Sequence, residues 1–167
     1  MKNLYILIGL KGSGKTYIGK LIENEFNIPF VRVENIFKNI KRDRHFSDEN
    51  YIKEGFTQLE KEIRTRFQEA DALIMKSTGL TDEFKQMLES LRKDFTVKLI
   101  KIATDPELCL KRVRERDCKE HINVSDSDAE KINELAMRVE FEYDLIIDNN
   151  SKTEEEIIKE LRHLFIG

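Results

Sequence analysis

Gly9-Leu10-Lys11-Gly12-Ser13-Gly14-Lys15-Thr16 sets its glycines, lysine and hydroxyl at the spacing G-x-x-x-x-G-K-[ST], a complete P-loop or Walker A signature. Gly9, Gly12 and Gly14 open backbone conformations closed to residues with a Cβ, so several N–H groups can converge on one concavity. A concavity at a helix N-terminus favours an anion, through its unpaired N–H groups and the macrodipole. Lys15 would set a point charge on the β- and γ-phosphates, and the Thr16 hydroxyl would ligate Mg²⁺. Gly9, Lys11, Gly12, Ser13, Gly14, Lys15, Thr16 and Tyr17 are therefore the residues expected to hold ATP.

The flanks suit that chemistry. Residues 4–8 form an apolar run of the kind expected of a buried parallel strand. After the loop, Ile18, Leu21, Ile22 and Phe26 share one face of a helix. Further strands are expected at 29–33, 72–75, 96–103 and 145–147. Between them lie helical patterns: one from Glu34, one from near Ser47 carrying Ile52, Phe56, Leu59, Ile63 and Phe67, and one capped at Thr81 or Asp82. Later helices start at Thr104 or Asp105 with Pro106 in first position, at Ser125 or Asp126, and at Thr153. Strands alternating with helices give a three-layer α/β domain with a mostly parallel sheet. Ligands in such sheets collect at the carboxyl ends of the strands.

At 167 residues the chain is expected to be one domain, 1–167. Hydrophobic content of 40% and charged content of 37% suit a globular protein. A formal charge of −3 without a basic block gives no reason to expect nucleic acid as a partner. No apolar run approaches the length of a membrane span, and none reads as a signal peptide. Cys109 and Cys118, the only cysteines, have no companions at metal spacing, which points to reduced thiols and a cytoplasmic location.

A switch GTPase would carry D-x-x-G after the third strand and N-K-x-D near the end. The chain has Lys76-Ser77-Thr78-Gly79 and Asn149-Asn150-Ser151-Lys152 instead. In element order over nearly its full length, the chain resembles the shikimate kinase, gluconate kinase and nucleoside monophosphate kinase group of P-loop kinases. That resemblance implies an NMP-kinase-like five-stranded parallel sheet of order 2-3-1-4-5 with helices on both faces. It also implies an acceptor-binding helical region at about 35–70 and a short lid at about 112–124. Where shikimate kinases have F-x-D-x-D, this chain has Phe30-Val31-Arg32-Val33-Glu34, keeping an acid only at Glu34. Where they have F-R-x-x-E, it has Phe56-Thr57-Gln58-Leu59-Glu60, so Thr57 stands at the carboxylate-clamping place.

The resemblance assigns Glu34 to the acceptor hydroxyl; a carboxylate there could also, through water, help Thr16 hold Mg²⁺. Arg32 could bind an anionic acceptor or pair with nearby acids. Arg112 and Arg116, four apart and so on one helix face, resemble lid arginines that close over ATP. Lys15, Glu34 and Arg116 are the expected catalytic residues, with Arg114 on the surface. The function implied is transfer of the ATP γ-phosphoryl group to a small-molecule acceptor by a monomer or homodimer. One alternative is a nucleoside or nucleotide kinase, with Arg42, Arg44 or Arg64 on an acceptor phosphate. Another is an ATP-binding regulatory module without useful turnover.

Overall fold

The computed structural model describes residues 1–116 and 124–166. Its elements alternate as the sequence pattern requires: β1 (Asn3–Ile8), α1 (Lys15–Phe26), α2 (Val33–Lys41), α3 (Glu49–Arg66), β2 (Ala72–Ser77), α4 (Asp82–Arg92), β3 (Thr96–Ala103), α5 (Pro106–Glu115), α6 (Asp126–Ala136), β4 (Leu145–Asp148) and α7 (Glu154–Phe165). The sheet is parallel, in the order β2-β1-β3-β4.

The expected five strands are four among the described residues, and the missing one is the strand at 29–33. It survives as a single parallel bridge, Phe30 to Ile74, on the outer edge of β2. Val31 N donates to Ile74 O at 2.8 Å and Ile74 N to Pro29 O at 3.0 Å. Pro29 has no N–H to extend the ladder, and α2 begins at Val33, before a second turn of pleat can form. The four strands and this bridge stand in the order that the kinase resemblance implied. β2 also runs to Ser77, two residues past the expected end, so Lys76 is a strand residue.

Side chains of β1 alternate between two cores. Leu4, Ile6 and Ile8 pack with Leu59 and Ile63 of α3 and with Phe84, Leu88 and Leu91 of α4. Tyr5 and Leu7 pack on the other face with Ile18 and Ile22 of α1 and Ile157 and Leu161 of α7. Burying one such side chain is worth roughly 1.5–3 kcal/mol, so both faces of β1 fix its height in the sheet. The loop that follows Ile8 is thereby held at a fixed place over the strand ends.

Local signals set the helix starts. Asp105 accepts from Glu107 N at 2.9 Å ahead of Pro106, and Ser125 accepts from Asp128 N at 3.1 Å. Thr153 and Glu156 form a reciprocal capping box on α7. Asp48 caps α3 and Thr81 caps α4. No described helix is long and apolar enough to cross a membrane.

Candidate active site

The P-loop leads into α1 without a side-chain cap or an acid in the first turn. Its N-terminal amides are therefore left for an anion. Gly12 and Gly14 have φ of 83° and 100°. A Cβ at Gly12 would meet the Cys109 carbonyl oxygen, and one at Gly14 would meet the Asn149 amide nitrogen. Both positions need glycine for conformation and for space.

Three elements hold the loop from outside. The Ser13 carbonyl accepts from Thr104 Oγ1 at 2.9 Å, from Asn149 Nδ2 at 2.8 Å and from Arg112 Nη1 at 3.5 Å. Arg112 Nη2 also donates to Asn149 O at 3.0 Å. From α6, the buried Asn133 takes both sides of one backbone position: Lys11 N donates to its Oδ1 at 2.8 Å and its Nδ2 donates to Lys11 O at 3.0 Å. A bidentate amide clamp on backbone groups fixes the loop whatever side chain stands at position 11.

Inside the loop the cations are crowded. Lys15 Nζ donates to Gly9 O at 2.7 Å and Leu10 O at 2.6 Å. Burial, reinforced by Lys76 and Lys11, pushes its pKa well below the ordinary lysine value. Burial, Arg116 and Lys76 bring Lys11 down to about 8. Lys76 is lowered by burial and partly restored by Glu34. A site that makes its own ammonium groups costly to charge favours a polyanion, because phosphate relieves the repulsion.

Lys76 joins two candidates from different elements. Its Nζ donates to Thr16 Oγ1 at 2.6 Å and lies 3.5 Å from Glu34 Oε2. Glu34 is 5% exposed, and Oε2 accepts no hydrogen bond among the described residues. Sequence reasoning passed over Lys76 as a replacement for an acid; its place at the end of the central strand pair was the available signal. Asn133 was missed as well, and so were the contacts of Thr104 and Asn149 with the loop.

One cavity of about 740 Å³ connects these groups. Its lining takes in Lys11, Gly12, Gly14, Lys15, Thr16, Lys20, Arg112 and Arg116, then Glu34 and Lys76, the α6 residues Asp128, Lys131, Ile132 and Leu135, and the apolar Val33, Phe37, Tyr51, Ile52, Phe56, Leu59 and Leu80. Tyr17 borders the cavity, while its hydroxyl donates to Glu154 Oε2 at 3.0 Å. Arg116 caps α5 and faces the cavity; the rest of the expected lid through Ile122 and Asn123 lies outside the described residues. Cys118 lies there too. Arg114 pairs with Asp126 at 3.4 Å on the surface.

Of the two options for Arg32, the structure shows the pairing. Its Nη2 donates to Glu23 at 2.8 Å while its guanidinium lies over the Phe30 ring. Thr57 donates to Lys53 O on its own helix at 2.8 Å and is exposed.

The comparisons with known proteins agree with this geometry. The shikimate kinase of Persephonella marina is 24% identical over 166 residues, covering 96% of this chain and 97% of that protein. A sugar kinase structure from Janibacter sp. HTCC2649 superposes with a TM-score of 0.69 at 15% identity, covering 98% of this chain and 94% of the other. The shikimate kinase structure from Aquifex aeolicus gives a TM-score of 0.64 at 20% identity, covering 98% and 95%. The AAA domain family AAA_33 matches residues 4–142. With that match across most of its length, a P-loop in a nest of cations and a parallel sheet in kinase order, the chain belongs to this AAA domain family and has the P-loop kinase fold.

Proposed function

We propose that this chain transfers the γ-phosphoryl group of ATP to a hydroxyl of a small molecule held between α2, α3 and the start of α4. One observation carries the reading: a single cavity takes in the phosphate-binding loop, Glu34 and an apolar wall of Phe37, Tyr51 and Phe56. Donor and acceptor would meet at Glu34, where water is excluded by burial. The acceptor region at about 35–70 corresponds to α2 and α3.

Each residue has a role that its surroundings support. Lys15 leaves the Gly9 and Leu10 carbonyls for the β- and γ-phosphates, and the loop amides bind the same oxygens. Arg116, from the end of α5, brings a guanidinium to the charge that spreads in the transition state. Glu34 accepts the hydrogen of the acceptor hydroxyl and orients its oxygen. Thr16 Oγ1 and the Glu34 carboxylate are hard oxygen donors that already face one cation, so the donor set fits Mg²⁺. The metal, when bound, would neutralise phosphate charge. The partner is a small molecule, taken by a monomer or homodimer in the cytoplasm.

The test is ADP release from Mg·ATP across a panel of acceptors. Lys15→Ala should lower the rate on the order of tenfold or more while leaving the fold intact. A second reading, an ATP-binding regulatory module, is favoured by the Lys76 ammonium between Thr16 and Glu34, since a built-in cation lets nucleotide bind without metal. Mg²⁺-dependent ADP release stimulated by one acceptor excludes that module. Tight ATP binding in chelator, with no acceptor raising turnover, favours the module.

A further inference from the structure

Lys76 stands where a strand end meets two helix starts. In β2, Ala72, Ile74 and Lys76 share one side of the sheet, and Ile74 packs there with Ile18 and Ile22 of α1. The same alternation carries the Lys76 side chain toward the start of α1, where Thr16 is the second residue. Glu34, the second residue of α2, closes the triangle. Lys76 Nζ donates to Thr16 Oγ1 at 2.6 Å and lies 3.5 Å from Glu34 Oε2, with both charged side chains largely buried.

Thr16 and Glu34 are the side chains whose oxygens fit Mg²⁺, and both already face one ammonium of the chain's own. Lys76 also borders the cavity that the phosphate loop lines, and its charge is felt by Lys11 and Lys15. An ammonium carries three N–H donors, so it can hold Thr16 and still donate to a phosphate oxygen. A divalent cation on the same hydroxyl would lie against the ammonium that already bonds it. Like charges that close repel strongly in a buried site, and the single charge of Glu34 cannot neutralise both.

We infer that Lys76 and Mg²⁺ compete for Thr16 and Glu34: the ammonium serves a nucleotide bound without metal, and Lys76 gives up Thr16 when Mg²⁺ is held there. Lys76 thereby sets how strongly nucleotide binding depends on metal. The inference rests on nucleotide binding at the loop, which the reading above includes, and not on transfer to an acceptor.

Equilibrium dialysis of ATP against the full chain, in excess chelator and in saturating Mg²⁺, gives the ratio of the two dissociation constants. Loss of a charged hydrogen bond to phosphate should weaken binding in chelator, so Lys76→Met should raise that ratio roughly tenfold over wild type. By linkage, Mn²⁺ should bind the ATP complex of Lys76→Met more tightly by the same factor in electron paramagnetic resonance titrations. A purely structural lysine would weaken ATP binding equally with and without metal, so a rise of less than about threefold overturns the inference. Should Lys76→Met fail to fold, the same ratio is read in Glu34→Gln and in the double variant, which strands no charge; it should rise from the first to the second. Acceptor-stimulated ADP release with an unchanged ratio overturns the inference and leaves the kinase reading standing. A raised ratio with no turnover keeps the inference and favours the regulatory module. Wild type that binds no ATP overturns both.

Discussion

Lys76→Met tests whether the site is built around a buried ion pair. The substitution keeps the length and apolar stem of the side chain and removes the ammonium. Lys76 and Glu34 are 15% and 6% exposed at the side chain, and their charged atoms lie 3.5 Å apart. At an effective dielectric of about 20, a pair at that distance attracts by roughly 5 kcal/mol. The whole of that figure cannot appear as lost stability, because removing the ammonium also removes the cost of burying it. We therefore expect Lys76→Met to lose about 3 kcal/mol at pH 7, within the range for breaking a buried pair. Urea unfolding of wild type, Lys76→Met, Glu34→Gln and the double variant at pH 7 measures it. The double variant should recover most of the loss, since it strands no charge. A penalty below about 1 kcal/mol at pH 7, or strictly additive single effects, would refute the reasoning.

Three further outcomes follow from the loop. Asn133→Ala removes both hydrogen bonds to the Lys11 backbone; about 2 kcal/mol of stability should go in urea unfolding, and ATP should bind more weakly in a fluorescence titration. Lys11, brought down to about 8 by burial and its cationic neighbours, should regain its proton when phosphate arrives. Calorimetric ATP titrations at pH 8 in buffers of different ionisation enthalpy should then show proton uptake, with affinity falling as pH rises through about 8; Lys11→Met should reduce the buffer dependence. Without nucleotide the sign is that of a depressed cation: the contribution of Lys11 to stability is full above the ordinary 10.5 and is lost as pH falls through about 8. Gly12→Ala should cost at least tenfold in ATP affinity by equilibrium dialysis, because φ of 83° and the Cys109 carbonyl both oppose a Cβ.

What could be read from the sequence was local. The P-loop glycines, the caps at Asp105, Ser125 and Thr153, and the strand at Thr96–Ala103 each depend on residues a few positions apart. The edge strand at 29–33 was overcalled because an apolar run after proline looks alike whether it pairs over five residues or touches at Phe30 alone. The partners of the loop were illegible for another reason. Asn133 meets Lys11 across 122 positions and Asn149 meets Ser13 across 136, and a buried asparagine on a helix or turn has the same letter as a solvated one. Glu34 was legible as a strand-end acid; its pairing with Lys76 depended on β2 continuing past Met75.

The Asn133 clamp also carries an evolutionary consequence. Because it grips the amide and carbonyl of residue 11 and not the side chain, the shape of the loop does not depend on which side chain stands at position 11, while it does depend on the asparagine 122 positions away. Glutamine would overshoot and aspartate would lack the donor. Among descendants of this chain, position 11 should drift with the charge of the nucleotide pocket, while position 133 stays asparagine for as long as the loop keeps its shape.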